Sequence, residues 1–220
     1  MSSFSLSSAL RFAWESFRTR PLVYVSVILI TEALWYLVRF LQVQLHSVFG
    51  LTLATDLVSM VIFIVVSGGV FIALTNFALR AHDAPKEVTV KDAFNFRSAL
   101  PLGVLFLLGG MLFLVGIRLW VLPGLFFLVF FIYAPYIASE KGSMPYYALK
   151  EAGTLALSKI PQLFVLIMLS ISGSILYLLL VLFFNLSEGI ANIASVIVDV
   201  VAMPVGFLSI VHAYRSEVSK

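Results

Sequence analysis

Over most of this chain the apolar residues neither alternate nor recur at every third or fourth position; they run on, interrupted only by short polar stretches. Six runs are long enough to cross the roughly 30 Å of hydrocarbon in a bilayer: 22–45, 57–79, 100–117, 121–139, 161–184 and 190–213. The third and fourth are short, about 27 Å each as helices. Only Arg118, Leu119 and Trp120 separate them, which predicts a tight helical hairpin. Ahead of the first run the pattern changes. Leu10, Ala13, Trp14 and Phe17 fall at i, i+3, i+4 and i+7, with Arg11, Glu15 and Arg18 on other faces. That is the spacing of an amphipathic helix lying in the membrane interface over 5–20. A less regular stripe of Tyr147, Leu149, Ala152 and Leu155 predicts another helix outside the bilayer between Ser143 and Lys159, with Pro161 marking re-entry. The expected fold is an all-α polytopic membrane bundle: an N-terminal interfacial amphipathic helix over 1–21, a six-helix transmembrane domain over 22–213, and a tail over 214–220.

Composition narrows the possibilities further. Of 220 residues, 61% are hydrophobic and 11% charged, against roughly 25% charged in soluble domains, and the mean hydropathy is +1.08. A soluble globule of this size cannot enclose so much apolar surface, which excludes a soluble enzyme, and the same arithmetic excludes a disordered or collagen-like chain. The absence of cysteine removes a disulfide framework, a thiolate zinc site and a thiol nucleophile.

A net charge of +3 raises the question of nucleic acid, and the placement of the basic residues answers it. Arg11, Arg18 and Arg20 precede the first run. Arg80, Lys86, Lys91 and Arg97 lie between the second and third, Lys141, Lys150 and Lys159 between the fourth and fifth, and Arg215 and Lys220 follow the sixth. Only Arg39 and Arg118 fall on the alternate connections. Retained cytoplasmic loops carry the excess of Lys and Arg, so this division predicts six crossings of the cell membrane with both termini in the cytoplasm. No basic run interleaved with aromatics exists, and Asp83, Glu87, Asp92, Glu140 and Glu151 dilute the basic face. Membrane lipids, and another membrane protein, are therefore the expected partners rather than nucleic acid. No cleavable signal peptide is expected, because the first run continues past twenty residues. Neither a Gly at position 2 nor a C-terminal Cys offers a lipid anchor.

The chain also carries a weak internal repeat. Ala9-Leu10-Arg11 leading to Pro21 matches Ala148-Leu149-Lys150 leading to Pro161, and Asp92-Ala93-Phe94 leading to Pro101 is a shorter version. Three units, each a lead-in helix followed by a helical hairpin, would follow. From Ser67-Gly68-Gly69 through Arg80, on to Asp92-Ala93-Phe94, Gly116-Ile117, Leu122-Pro123-Gly124 and Glu140 with Ala148-Leu149-Lys150, the sequence resembles uncharacterised bacterial and archaeal polytopic membrane families. These are similar to the membrane domain fused to some glycerophosphoryl diester phosphodiesterases. The fold motif lies in Gly68, Gly69, Pro123 and Gly124. Ala152 departs from the pattern, which leads one to expect Ser soon after the Ala-Leu pair. The resemblance implies a membrane bundle and brings no catalytic residues with it.

Candidate chemistry is sparse. Glu32 and Asp199 each lie about ten residues into an apolar run, where a charged carboxylate costs on the order of 3 kcal/mol. Such groups face a bundle interior, pair, or stay protonated. Asn76, Asn192 and His212 are their candidate polar partners. Arg39, seven residues after Glu32, shares its helical face about 10 Å along the axis and is expected to snorkel outward. Pro204 withdraws a hydrogen bond beside Asp199 and predicts a kink. Two readings of the carboxylates stand side by side: interhelical hydrogen-bonded glue, or a proton or cation relay. Small residues, among them Gly103, Gly109-Gly110 and Ser170 to Ser174, are read as surfaces for close helix packing. No Walker loop, GxGxxG, GxSxG or HExxH is present and the three histidines are scattered, so neither enzyme activity, a metal nor a cofactor is expected. The expected role is an accessory or scaffold in membrane organisation or lipid homeostasis. A small transporter or channel using Glu32 and Asp199 is the alternative, and an intramembrane lipid-acting enzyme a third.

Overall fold

The computed structural model describes residues 5–95, 98–119 and 128–218, and all regular structure in them is helical. Helix α1 (Leu6–Thr19) opens with the Ser5 side chain accepting the Ser8 N–H. It stops at Arg20, and Pro21 begins α2 (Pro21–Phe49), since Pro at the first helical turn lacks only an N–H that would be unpaired anyway. Gly50, at φ +73°, ends α2. Thr52 and Thr55 form a reciprocal capping box that starts α3 (Leu53–Asp83). A second capping box, Thr89 with Asp92, starts the single turn α4 (Val90–Ala93). Then follow α5 (Ala99–Leu119), a turn of helix over 128–131, and α6 (Ala134–Lys141), closed by Gly142 at φ +57°. Helix α7 (Pro145–Ala156) passes through a 3-10 turn (Leu157–Lys159) into α8 (Ile160–Ser170), followed by α9 (Ser172–Phe184) and α10 (Glu188–Val218).

Four helical stretches among the described residues are long and apolar enough to cross a membrane: Pro21–Phe49, Leu53–Asp83, Pro145–Ser170 and Glu188–Val218. Ala99–Leu112 and Ser172–Phe184 are shorter apolar helices. Two predicted runs are not continuous helices. The run over 121–139 is described only from residue 128, and there a turn at 132–133 separates residues 128–131 from α6. Pro135 accounts for the interruption, because its ring removes a donor and disfavours helical backbone just before it. The run over 161–184 breaks at Ile171, for reasons that belong to the site below. Helix α10 continues through Pro204 from Glu188 to Val218. Pro123, Gly124 and Trp120 lie outside the described residues.

Contacts sort the connections to two ends of the bundle. At one end Arg20 donates to the Val88 carbonyl, 3.0 Å, Arg215 donates to the Asp83 carboxylate, 2.8 Å, and Lys141 pairs with Glu151. This end gathers the basic flanks of the sequence. At the other, Gln42 donates to the Ser59 carbonyl and His46 sits 3.2 Å from Asp56.

Helix α1 packs against α10 and differs in detail from the apolar stripe of the sequence. Its buried face is Ala9, Ala13, Ser16 and Phe17, whereas Trp14 is 45% exposed. Small side chains decide this: Ala9 and Ala13 keep no exposed surface, and the fully buried Ser209 hydroxyl of α10 donates to the Ala9 carbonyl. The same device recurs in the other lead-in helices, where Ala93 of α4 and Ala148, Ala152 and Ala156 of α7 are also fully buried. Alanine at the contact lets a short helix lie close against a long one. Neither Gly68 nor Gly69 is at such a contact: a Cβ at Gly68 would meet the Phe106 ring at ordinary van der Waals distance, 3.5 Å, and one at Gly69 would meet open space.

Candidate functional site: a polar cavity at a broken helix

The break between α8 and α9 falls in Ser170-Ile171-Ser172-Gly173-Ser174. Serine and glycine are weak helix formers, and the Ser170 hydroxyl turns back to donate to the Leu166 carbonyl, 2.9 Å. Composition alone would only weaken the helix. What fixes the break is Asp199 on α10, whose Oδ1 accepts the Gly173 N–H at 3.1 Å. A carboxylate at the first turn of α9 caps an otherwise unpaired donor and meets the positive end of the helix dipole. Asp199 is 5% exposed. A Cβ on Gly173 would overlap its carboxyl group, so only glycine admits this contact. Two helical turns farther along α10, on the basic side, Gly206 lies against Ser170, and a Cβ there would come within 2.9 Å of the Ser170 Cα. Two glycines on opposite helices thus let the broken helix and α10 approach at backbone distance.

On the other side of Asp199 the three helices α2, α9 and α10 part around a cavity of about 520 Å³. Glu32, Trp35, Tyr36 and Arg39 line it from α2, Ser174, Tyr177 and Leu178 from α9, and Asn192, Ser195, Asp199 and Met203 from α10. The register is ordered. Helix α2 runs away from the basic end while α10 runs toward it, and Glu32 to Arg39 and Asp199 to Asn192 are each a step of seven residues. Two helical turns are about 10 Å, so the carboxylates form one layer and Arg39 with Asn192 a second layer farther out. Ser195 spends its hydroxyl on the Asn192 carbonyl, 2.8 Å. Among the described residues, Glu32 and Arg39 make no hydrogen bond or ion pair. The cavity therefore presents a carboxyl group and a guanidinium from one helix face, neither in hydrogen-bond or ion-pair contact with the described residues, with the half-satisfied Asp199 carboxyl opposite.

The structure gathers three of the five candidate residues, Glu32, Asp199 and Asn192, and corrects the other two. Asn76 belongs to a separate cavity of about 500 Å³ near the basic end, with Arg80, Asp83, Asp92, Ser139 and Glu140. There it accepts from the Ser139 hydroxyl, 2.9 Å, and donates to the Asn95 carbonyl. His212 stands beside His82, ring nitrogens 3.4 Å apart, and stacks on Phe12 of α1. Depth separates these groups: Asn76 and His212 lie near the basic ends of their helices, the carboxylates midway. Ser174, Tyr177 and Tyr36 line the cavity without having been singled out for it. The heptad step from Asp199 to Asn192, facing that from Glu32 to Arg39, is the sequence signal that could have found the layered arrangement.

Comparison of the chain with protein-family models, with curated proteins and with solved structures finds no match. The functional reading therefore rests on the residues themselves.

Proposed function

We propose that this chain is an integral protein of the cell membrane, crossing it six times with both termini in the cytoplasm, and that it is a small transporter using the Glu32 and Asp199 cavity. The observation that carries the reading is that both mid-helix carboxylates face one polar cavity at a discontinuous helix. Solute and ion sites of secondary transporters are built this way, at mid-membrane depth where an interrupted helix frees its backbone ends for polar work. Glu32 supplies the exchangeable negative charge. Asp199 holds the break and presents its second oxygen. A proton, or the positive group of a solute, compensates their charge during transport.

An accessory role in membrane organisation or lipid homeostasis is the second reading, and one contact favours it: the Asp199 bond to Gly173 is what a purely structural staple would make. The two diverge in reconstituted liposomes. The transporter reading expects proton- or ammonium-coupled flux above that of protein-free vesicles. It also expects flux to vanish in Glu32→Gln while the melting temperature stays near wild type. Wild-type protein that is folded and correctly inserted yet no leakier than empty vesicles would overturn it in favour of the accessory role.

A further inference from the structure

The cavity is not built for a simple cation. A site for a bare cation would surround it with oxygen and keep positive charge away, yet Arg39 shares the lining with Glu32 and Asp199. A guanidinium and a carboxylate on one helix face would ordinarily neutralise each other, and here the heptad step holds them about two turns apart. Leaving both unpaired at the edge of a hydrocarbon phase is costly. That cost is offset if one molecule brings a positive end to the carboxylate layer and a negative end to Arg39.

We infer that the cavity between α2, α9 and α10 binds an ammonium–phosphate zwitterion, its ammonium at Glu32 and Asp199 and its phosphate at Arg39. This rests on the reading of the cavity as a ligand site and names the class of ligand it takes. Three features choose the class. The two-turn spacing of the layers favours a zwitterion whose charges are several bonds apart over an α-amino acid, whose charges are only about two bonds apart. Arginine's planar fork donates to two oxygens together, and a phosphate meets it while keeping a third oxygen free for a second donor. Finally, Trp35, Tyr36 and Tyr177 line the same space, and aromatic faces attract ammonium groups, quaternary ones included. Asn192, in the outer layer, adds an amide donor for a phosphate oxygen. An ethanolamine- or choline-phosphate group satisfies all three. It can arrive as a phospholipid headgroup or as the free phosphoester.

Purified full-length protein in a glycerol-lipid nanodisc tests this by thermal shift and calorimetry with four probes: O-phosphoethanolamine, ethylammonium, inorganic phosphate and glycine. A fifth arm replaces part of the nanodisc lipid with phosphatidylethanolamine. The inference expects saturable stabilisation by phosphoethanolamine or by the ethanolamine lipid. The soluble arm alone identifies the free phosphoester, and the lipid arm alone identifies the headgroup. Arg39→Gln should weaken phosphoethanolamine by about tenfold or more, as loss of a charge-assisted bidentate contact does, and leave ethylammonium unchanged. Glu32→Gln should weaken both. If Arg39→Gln does not fold, competition on the wild type decides: phosphate should displace phosphoethanolamine and not ethylammonium. Wild-type affinity in Arg39→Gln, glycine binding as tightly as phosphoethanolamine, or no competition by phosphate would each overturn the inference. Protein that carries ethylammonium in liposomes but binds no phosphate compound sinks this inference and leaves the transporter reading standing. Neither flux nor binding sinks both.

Discussion

The two polar regions of this molecule use the same residue types and treat them in opposite ways. At the basic end the carboxylates Asp83, Glu87, Asp92, Glu140 and Glu151 each have a cation at hand. Arg215 donates to both oxygens of Asp83, at 2.9 and 2.8 Å, and pairs with Glu140, which also accepts from the Tyr214 hydroxyl at 2.8 Å. Arg80 lies 3.8 to 3.9 Å from Glu87 and Asp92, and Lys141 pairs with Glu151. These contacts tie α3, α6, α7 and α10 together where the chain leaves the apolar region. In the mid-helix cavity Glu32 and Arg39 share the lining and make no hydrogen bond or ion pair among the described residues. Carboxylates matched by cations hold a structure together. Charges withheld from one another in a less favourable medium are kept for something that comes and goes.

The comparison turns on the backbone-close crossing that separates the two regions, and breaking it should have the largest effect. Gly206→Leu would force a side chain into the Ser170 backbone, which cannot yield as a flexible side chain can. A loss of about 3 kcal/mol or more is expected, at the upper end for overpacking. It would show as a large fall in melting temperature in detergent and as lost ligand response together. A Gly206→Leu protein as stable as wild type would mean that α8 and α10 do not meet as described.

Much of the helix layout is legible in the sequence, and the misses have separate causes. The apolar runs locate the bodies of α2, α3 and α10, while the helices extend up to five residues past those runs, to ends set by caps such as Gly50 and Thr52 that hydropathy does not register. The basic end was equally visible: Arg20, Arg80, Lys141 and Arg215 alternate with the apolar runs and meet at one end of the bundle. What hydropathy could not show is the break at Ile171. Residues 161–184 are apolar enough to read as one span, and the Ser-Gly segment inside them becomes a helix end only when Asp199, 26 residues later, caps it. A tertiary hydrogen bond overrides the local pattern there. Asn76 and His212 were grouped with the carboxylates on residue type alone, whereas their depth along α3 and α10 already placed them elsewhere.

The next test acts on the paired region. Arg215→Ala removes one partner from Asp83 and from Glu140 at once, leaving two carboxylates close together. These side chains are partly exposed, so solvent screens much of the effect and about 1 kcal/mol is expected. Adding Glu140→Gln should recover part of the loss, since it removes the unpaired repulsion, and raising the salt concentration should shrink the difference. A double variant no better than the single one would show that Arg215 acts through its packing rather than its charge.

The smallest expected change in stability carries the most information. Glu32→Gln keeps the shape of the side chain and removes a carboxyl that makes no hydrogen bond or ion pair among the described residues. Its melting temperature should therefore stay within what about 0.5 kcal/mol produces, on either side of wild type. A slight gain is the favoured sign, because an unpaired charge facing a poorly solvated cavity costs the folded state. Asp199→Asn is the control on the opposite wall. It retains an oxygen to accept from Gly173, so it too should fold, whereas Asp199→Leu removes that acceptor, leaves the Gly173 N–H unpaired, and should lose about 1 to 3 kcal/mol. The pattern to look for is stability following the hydrogen bond at Asp199 and ligand response following the charge at Glu32. If Glu32→Gln instead destabilises the protein as much as Asp199→Leu does, then Glu32 has a structural partner, the contrast between the two regions disappears, and the cavity is an imperfectly packed part of the bundle rather than a site.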